Sequence, residues 1–146
     1  MNRTRTTNTP RCLLASFLVA TSLGVGAQAP GMPQTPGFQS KPIQSAPVSG
    51  DDSKEMHAIA VSIAPGGYSP AHVHPGDCLG TVIEGTVDLV ADGKETRRVG
   101  PGEAFSNPRG TVHQFRNSGE VPVRMLTFVV VDKGKPRVMP PPEPAK

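Results

Sequence analysis

The stretch that decides the fold is Gly66-Gly67-Tyr68-Ser69-Pro70-Ala71-His72-Val73-His74-Pro75-Gly76-Asp77-Cys78-Leu79-Gly80-Thr81-Val82-Ile83-Glu84-Gly85. Its centre is a His-Val-His step. In extended backbone, side chains two apart share a face, so His72 and His74 offer their imidazoles to one point. About forty residues on, Gly102-Glu103-Ala104-Phe105-Ser106-Asn107-Pro108-Arg109-Gly110-Thr111-Val112-His113-Gln114-Phe115-Arg116-Asn117 carries a third histidine. A small β-barrel that pairs the two segments would gather His72, His74 and His113 around one point. That is a mononuclear metal site in outline.

The signals around these segments are β throughout. Met56 to Ala64 alternates around Ile59, Val61 and Ile63. Leu79 to Val90 is rich in β-branched residues and is broken at Glu84-Gly85, and Val123 to Val131 is a further apolar run. Turn markers recur at Pro65-Gly66-Gly67, Pro75-Gly76-Asp77, Ala91-Asp92-Gly93, Gly100-Pro101-Gly102 and Asn117-Ser118-Gly119, with no convincing helical period between them. Short, closely spaced strands predict an all-β, single-domain jelly-roll barrel. If alternation runs on from His72, then Cys78, Gly80 and Val82 face the interior with the histidines. Gly80 would leave room beside the site, and Phe105 and Phe115 would line or cap the interior. Arg109, just before His113, could meet a substrate carboxylate through its planar guanidinium. Gly85, Gly102 and Gly110 are expected at turns with positive φ, and Asn117 bonded to local backbone.

Together the two segments resemble the two motifs of the cupin superfamily. Gly102, Pro108, Gly110, His113 and Asn117 stand where the second motif has them, and Gly66, His72, His74 and Gly85 where the first does. The resemblance covers roughly residues 55 to 132. It departs at Cys78, seven residues before Gly85, where most metal-binding cupins carry glutamate. The resemblance implies a jelly-roll barrel and a divalent transition metal held by His72, His74 and His113. Neutral imidazole serves iron, nickel, manganese, copper and zinc alike, so the metal is not selected. Without the glutamate such a metal would be more positive, with about three open positions if six-coordinate. Cys78 could be a fourth ligand, but its side chain is two heavy atoms shorter than glutamate; the other reading is a small buried apolar residue. Three histidines with a cysteine are also similar to the thiol dioxygenases, yet no Ser-His-Tyr arrangement follows, and the only tyrosine is Tyr68.

The flanks frame this domain. Arg3, Arg5 and Arg11 precede an uncharged apolar stretch, Cys12 to Ala27, with small residues at its end, which reads as a signal peptide over residues 1–27. The stretch is short for a bilayer and no stop-transfer charges follow, so no stable membrane anchor is expected. The protein is expected to be periplasmic or secreted. Removing that segment takes three of the fifteen Lys and Arg residues and none of the twelve Asp and Glu, leaving a formally neutral chain. Nothing then argues for a nucleic-acid partner, which needs clustered positive charge. Cys12 would leave with the signal, making Cys78 the single thiol, one that cannot form an internal disulfide. Residues 28–54, dense in Pro, Gly, Gln and Ser, read as a flexible tether, and residues 133–146 as a Pro-rich, unpacked tail. That leaves a domain over 55–132, small enough that a homodimer is plausible.

For function, two readings stand. One is a metal-dependent dioxygenase acting on a small molecule, and the other a non-catalytic metal- or small-molecule-binding module for sensing or sequestration. Cupins include oxygenases, isomerases, sugar-binding domains and storage proteins, so the fold does not choose. No dedicated general base beyond the histidines is evident, which weakens an isomerase reading.

Overall fold

The computed structural model describes residues 32, 33 and 35–143. The expected signal peptide, 1–27, lies outside the described residues. Eight strands follow in order: β1 (Phe38–Val48), β2 (Asp51–Ile63), β3 (Asp77–Glu84), β4 (Val87–Ala91), β5 (Arg97–Val99), β6 (Ala104–Asn107), β7 (His113–Arg116) and β8 (Val123–Asp132). They form a five-stranded sheet in the order β1-β2-β8-β3-β6 and a three-stranded sheet in the order β5-β4-β7, with antiparallel pairing throughout both. This is the all-β jelly roll expected from the alternation. Among the described residues no helix is long and apolar enough to cross a membrane.

Period-two patterning builds the core. Along β8 the side chains of Val123, Met125, Thr127, Val129 and Val131 are buried while those between them are not. On β3 the buried set is Cys78, Gly80 and Val82. Their neighbours Leu79 and Ile83 are more than half exposed on the outer face. The inward residues of the two sheets join Ile59, Ile63, Val87, Val99 and Phe115 in one continuous apolar cluster. Gly85 closes the β3–β4 connection at φ +73, and a Cβ there would lie 2.5 Å from the Pro122 carbonyl oxygen, so both conformation and space demand glycine. Gly102 and Gly110 also take positive φ, as expected for turns. Asn117 is less local than expected: its Nδ2 donates to the carbonyls of Val121 and, across the chain, of Ile63.

Two segments depart from the sequence reading. The tether assigned to 28–54 is not a tether over its second half, because Phe38–Val48 is an eleven-residue strand paired along β2, with Ser49-Gly50 turning the hairpin. Its prolines, Pro42 and Pro47, are tolerated because β1 is an edge strand that pairs on one side only. Its mostly exposed side chains give it the composition of a linker. His57 lies in β2 and contacts this hairpin, with Nδ1 2.8 Å from Ser45 Oγ. The tail assigned to 133–146 is not unpacked either: Met139 and Val73 exchange both main-chain hydrogen bonds, at 2.9 and 3.0 Å. Extended, proline-flanked backbone has an open hydrogen-bonding edge, and one such bridge is enough to dock it.

Candidate metal centre

The three histidines meet because two loops of the barrel are hydrogen-bonded face to face. His113 opens β7, where it pairs with Ala91 of β4. On its other side its N–H and carbonyl bond the carbonyl and N–H of His72, at 2.9 and 3.0 Å. The His72-Val73-His74 segment is extended, but it makes only these bridges and is not a full strand. The Gly110 N–H donates to the His74 carbonyl at 3.0 Å and holds the second motif's loop against the first. Ring centroids are 4.2 Å apart for His72 and His113, 5.0 Å for His72 and His74, and 5.1 Å for His74 and His113. One ring nitrogen from each lies within 4.8 Å of those of the other two, and all three residues are buried.

Hydrogen bonding determines which nitrogens converge. Each Nδ1 faces a backbone carbonyl: Pro70 for His72 at 2.8 Å, Arg137 for His74 at 2.6 Å and Thr111 for His113 at 2.9 Å. A carbonyl can only accept, so each Nδ1 carries the proton and each Nε2 keeps its lone pair. Burial reinforces the neutral state. It lowers the pKa of His72 and is the main cause that brings His74 down to about 4 and His113 to about 3. Among the described residues the buried His113 Nε2 has no hydrogen-bond partner. An unpartnered buried acceptor costs about 1–3 kcal/mol, and a cation bonded there would offset it. The residues present therefore fit a metal held by three neutral nitrogens, each oriented by a carbonyl behind it.

Cys78 is not part of this set. Among the described residues the metal-competent cluster is His72, His74 and His113 alone. Cys78 sits in the apolar cluster, and burial pushes its thiol up to about 12. It packs as a core residue rather than as the fourth ligand weighed from the sequence.

A cavity of about 60 Å³ opens on His72 and His74. Its walls are apolar at Phe38, Ile59, Val61 and Phe115, with hydroxyls from Ser40 and Thr127. His72 and His74 line it, and Arg137 and Val138 of the C-terminal segment form one side. Of the pocket residues expected from sequence, Phe115 alone lines the cavity. Gly80 leaves no free space, because a Cβ there would lie 2.3 Å from Phe105 Cζ; the Phe105 ring fills that volume. Phe105 and Val82 belong to the core. Arg109 is exposed and reaches Asp132 at 3.5 Å. Thr127 carried a readable signal: a lone hydroxyl at an inward position of an otherwise apolar strand. Ser40 and Arg137 lay in segments whose composition gave no sign of packing.

Residues 60–131 match the family described as cupin domain. The chain belongs to the cupin superfamily. This cupin is 42% identical over 78 residues to germin-like protein subfamily T member 3 of Arabidopsis thaliana, covering 49% of this chain and 34% of that protein. It spans about a third of the length of the curated relatives it matches. Among solved structures it resembles a recombinant oxalate oxidase in complex with glycolate, at TM-score 0.57 and 25% identity, covering 71% of this chain and 55% of the other. It also resembles the DMSP lyase DddQ of Ruegeria pomeroyi, at TM-score 0.59 and 25% identity, covering 74% and 54%. Both β1 and the Arg137–Met139 segment fall outside the matched span, although both line the cavity.

Proposed function

We propose that this cupin holds one divalent transition metal on the Nε2 atoms of His72, His74 and His113 and acts on a small anionic molecule by oxygen-dependent chemistry. The observation that carries the reading is the three backbone carbonyls behind the rings, which commit all three Nε2 lone pairs to one point. Bound there, a metal would supply Lewis acidity and open positions for a substrate oxygen and dioxygen. The chain's own residues do the rest. Phe38, Ile59, Val61 and Phe115 exclude bulk water, and the Ser40 and Thr127 hydroxyls are placed to orient a bound molecule.

All three donors are neutral, and among the described residues no carboxylate lines the cavity, so no described lining group cancels a metal's charge; an anion is the favoured guest. The resemblance to an oxalate oxidase with glycolate supports a small carboxylate. Among the described residues that line the cavity there is no general base other than the histidines, and this observation favours a second reading, a non-catalytic module that binds the metal and a small ligand. Export is part of the proposal and rests on the basic head and apolar stretch of residues 1–27.

The test is elemental analysis of untagged protein beside a His72→Ala, His113→Ala double variant, followed by oxygen uptake with small carboxylates, thiols, diketones and phenols. About one metal per chain, lost in the variant, with oxygen consumed supports the enzyme. Metal without oxygen uptake supports the binding module. No metal after reloading overturns both.

A further inference from the structure

We infer that the C-terminal strap, Lys135 to Met139, is a working part of the centre: its Arg137 main-chain carbonyl positions His74 for metal binding, and Val138 forms part of the cavity wall. This rests on the metal reading of the three histidines, but its geometry stands separately. His72 and His113 find their carbonyls two residues away in their own loops, at Pro70 and Thr111. His74 does not. Its Nδ1 reaches across to Arg137, sixty-three residues later in the chain, at 2.6 Å. The pairing is held in register by the Val73–Met139 bridge, whose two hydrogen bonds clamp the residue beside His74 to the residue two beyond Arg137.

Without the strap, the His74 Nδ1–H would lose its acceptor, and nothing would favour that tautomer over the one that places the proton on Nε2, where a metal needs a lone pair. The ring would also be free to turn about its side-chain bonds, because its orientation is set by that bond. Loss of an outer partner of this kind typically weakens metal binding by roughly ten- to a hundredfold. Because the strap also lines one side of the cavity, through Arg137 and Val138, the same segment would couple ligand access to the geometry of one donor. Arg137 acts here through its carbonyl, so it is a positioning residue whose side-chain identity matters less than its place in the strap.

The experiment compares the full chain with a chain ending at Gly134 and with Met139→Pro, which deletes one of the two clamping hydrogen bonds while leaving all eight strands intact. The first readout needs no metal: in ¹⁵N-histidine-labelled, chelator-treated protein, with His74 assigned by its absence in His74→Gln, the protonated ring nitrogen is identified by NMR. The full chain is expected to hold the proton on Nδ1 of His74. Both strap variants should shift it partly or wholly to Nε2, with His72 and His113 unchanged. The second readout is zinc affinity by chelator competition, expected to fall by roughly ten- to a hundredfold in the variants. Retention of the Nδ1–H tautomer and an affinity within about twofold of the full chain in either folded variant would overturn the inference. If the full chain takes up no zinc yet the tautomer shifts on cutting the strap, the positioning stands and the metal reading fails. Should the shortened chain not fold, Met139→Pro decides.

Discussion

His72 and His113 lie directly opposite one another across an antiparallel bridge, each donating its main-chain N–H to the other's carbonyl, at 3.0 and 2.9 Å. Two residues from separate motifs thus become neighbours through backbone alone, before either imidazole contributes. The histidine side chains are then free to serve the centre rather than the fold.

This separation predicts that His72→Ala and His113→Ala each lower bound metal from about one per chain to well below half while leaving the β-sheet circular dichroism signature in place. Elemental analysis and far-ultraviolet spectra of the same samples check it. Collapse of the sheet signal in the single variants would mean that the imidazoles are structural.

Cys78→Ala should leave metal affinity within about twofold of the parent and cost about 1–2 kcal/mol of stability, the expected effect of trimming a small side chain from a packed core. Chelator competition and chemical denaturation separate the two effects. A tenfold loss of affinity, with a sulfur-to-metal charge-transfer band in the cobalt form of the parent, would instead place the thiolate on the metal.

Gly80→Ala tests the packing of the barrel floor. In an ordinary strand the change would be mildly stabilising, but here the new methyl would lie 2.3 Å from Phe105 Cζ and within 3 Å of two further ring atoms. A loss of about 1–3 kcal/mol is expected. Phe105→Leu should recover part of that loss in the double variant, which a denaturation cycle would detect as non-additivity.

In the metal-free protein, stability should fall as pH drops below the ordinary histidine value. Burial lowers the pKa of His72, and holds His74 at about 4 and His113 at about 3, against 6.5 in the unfolded chain. Between these limits the unfolded chain binds more protons than the folded one, so the stability present above pH 6.5 is lost as pH falls toward 3. The lowered carboxylates Asp88 and Asp132 start from 3.8, and so add their loss at the acid end of this range. Denaturant midpoints in chelator from pH 8 to 4 should decline, and decline less in His113→Gln. Equal slopes in the two proteins would contradict the burial argument.

Much of the barrel was legible because alternation survives wherever one strand face is buried: Val123 to Val131 and Leu79 to Val90 declare their inward residues by period alone. The histidine set was legible for a related reason, since a two-residue step in extended backbone and a third histidine in a turn-bounded strand leave few ways to be assembled. The edge strand Phe38–Val48 was hidden because a strand paired on one side and largely exposed has little apolar patterning to display. The strap was hidden because its docking uses main-chain groups that every residue carries.

What the sequence determined by itself was the class of fold and the identity of three convergent nitrogen donors. Only the tertiary structure decided which nitrogen each ring offers, that Cys78 is core rather than ligand, and that Arg137 and Ser40 border the cavity. The physical reason is common to all three. Side-chain period is a local property of the chain, whereas tautomer, burial and cavity walls depend on which distant backbone carbonyl or ring comes to lie against a residue, and hydrogen bonds such as His74 to Arg137 leave no trace in the amino acids that make them.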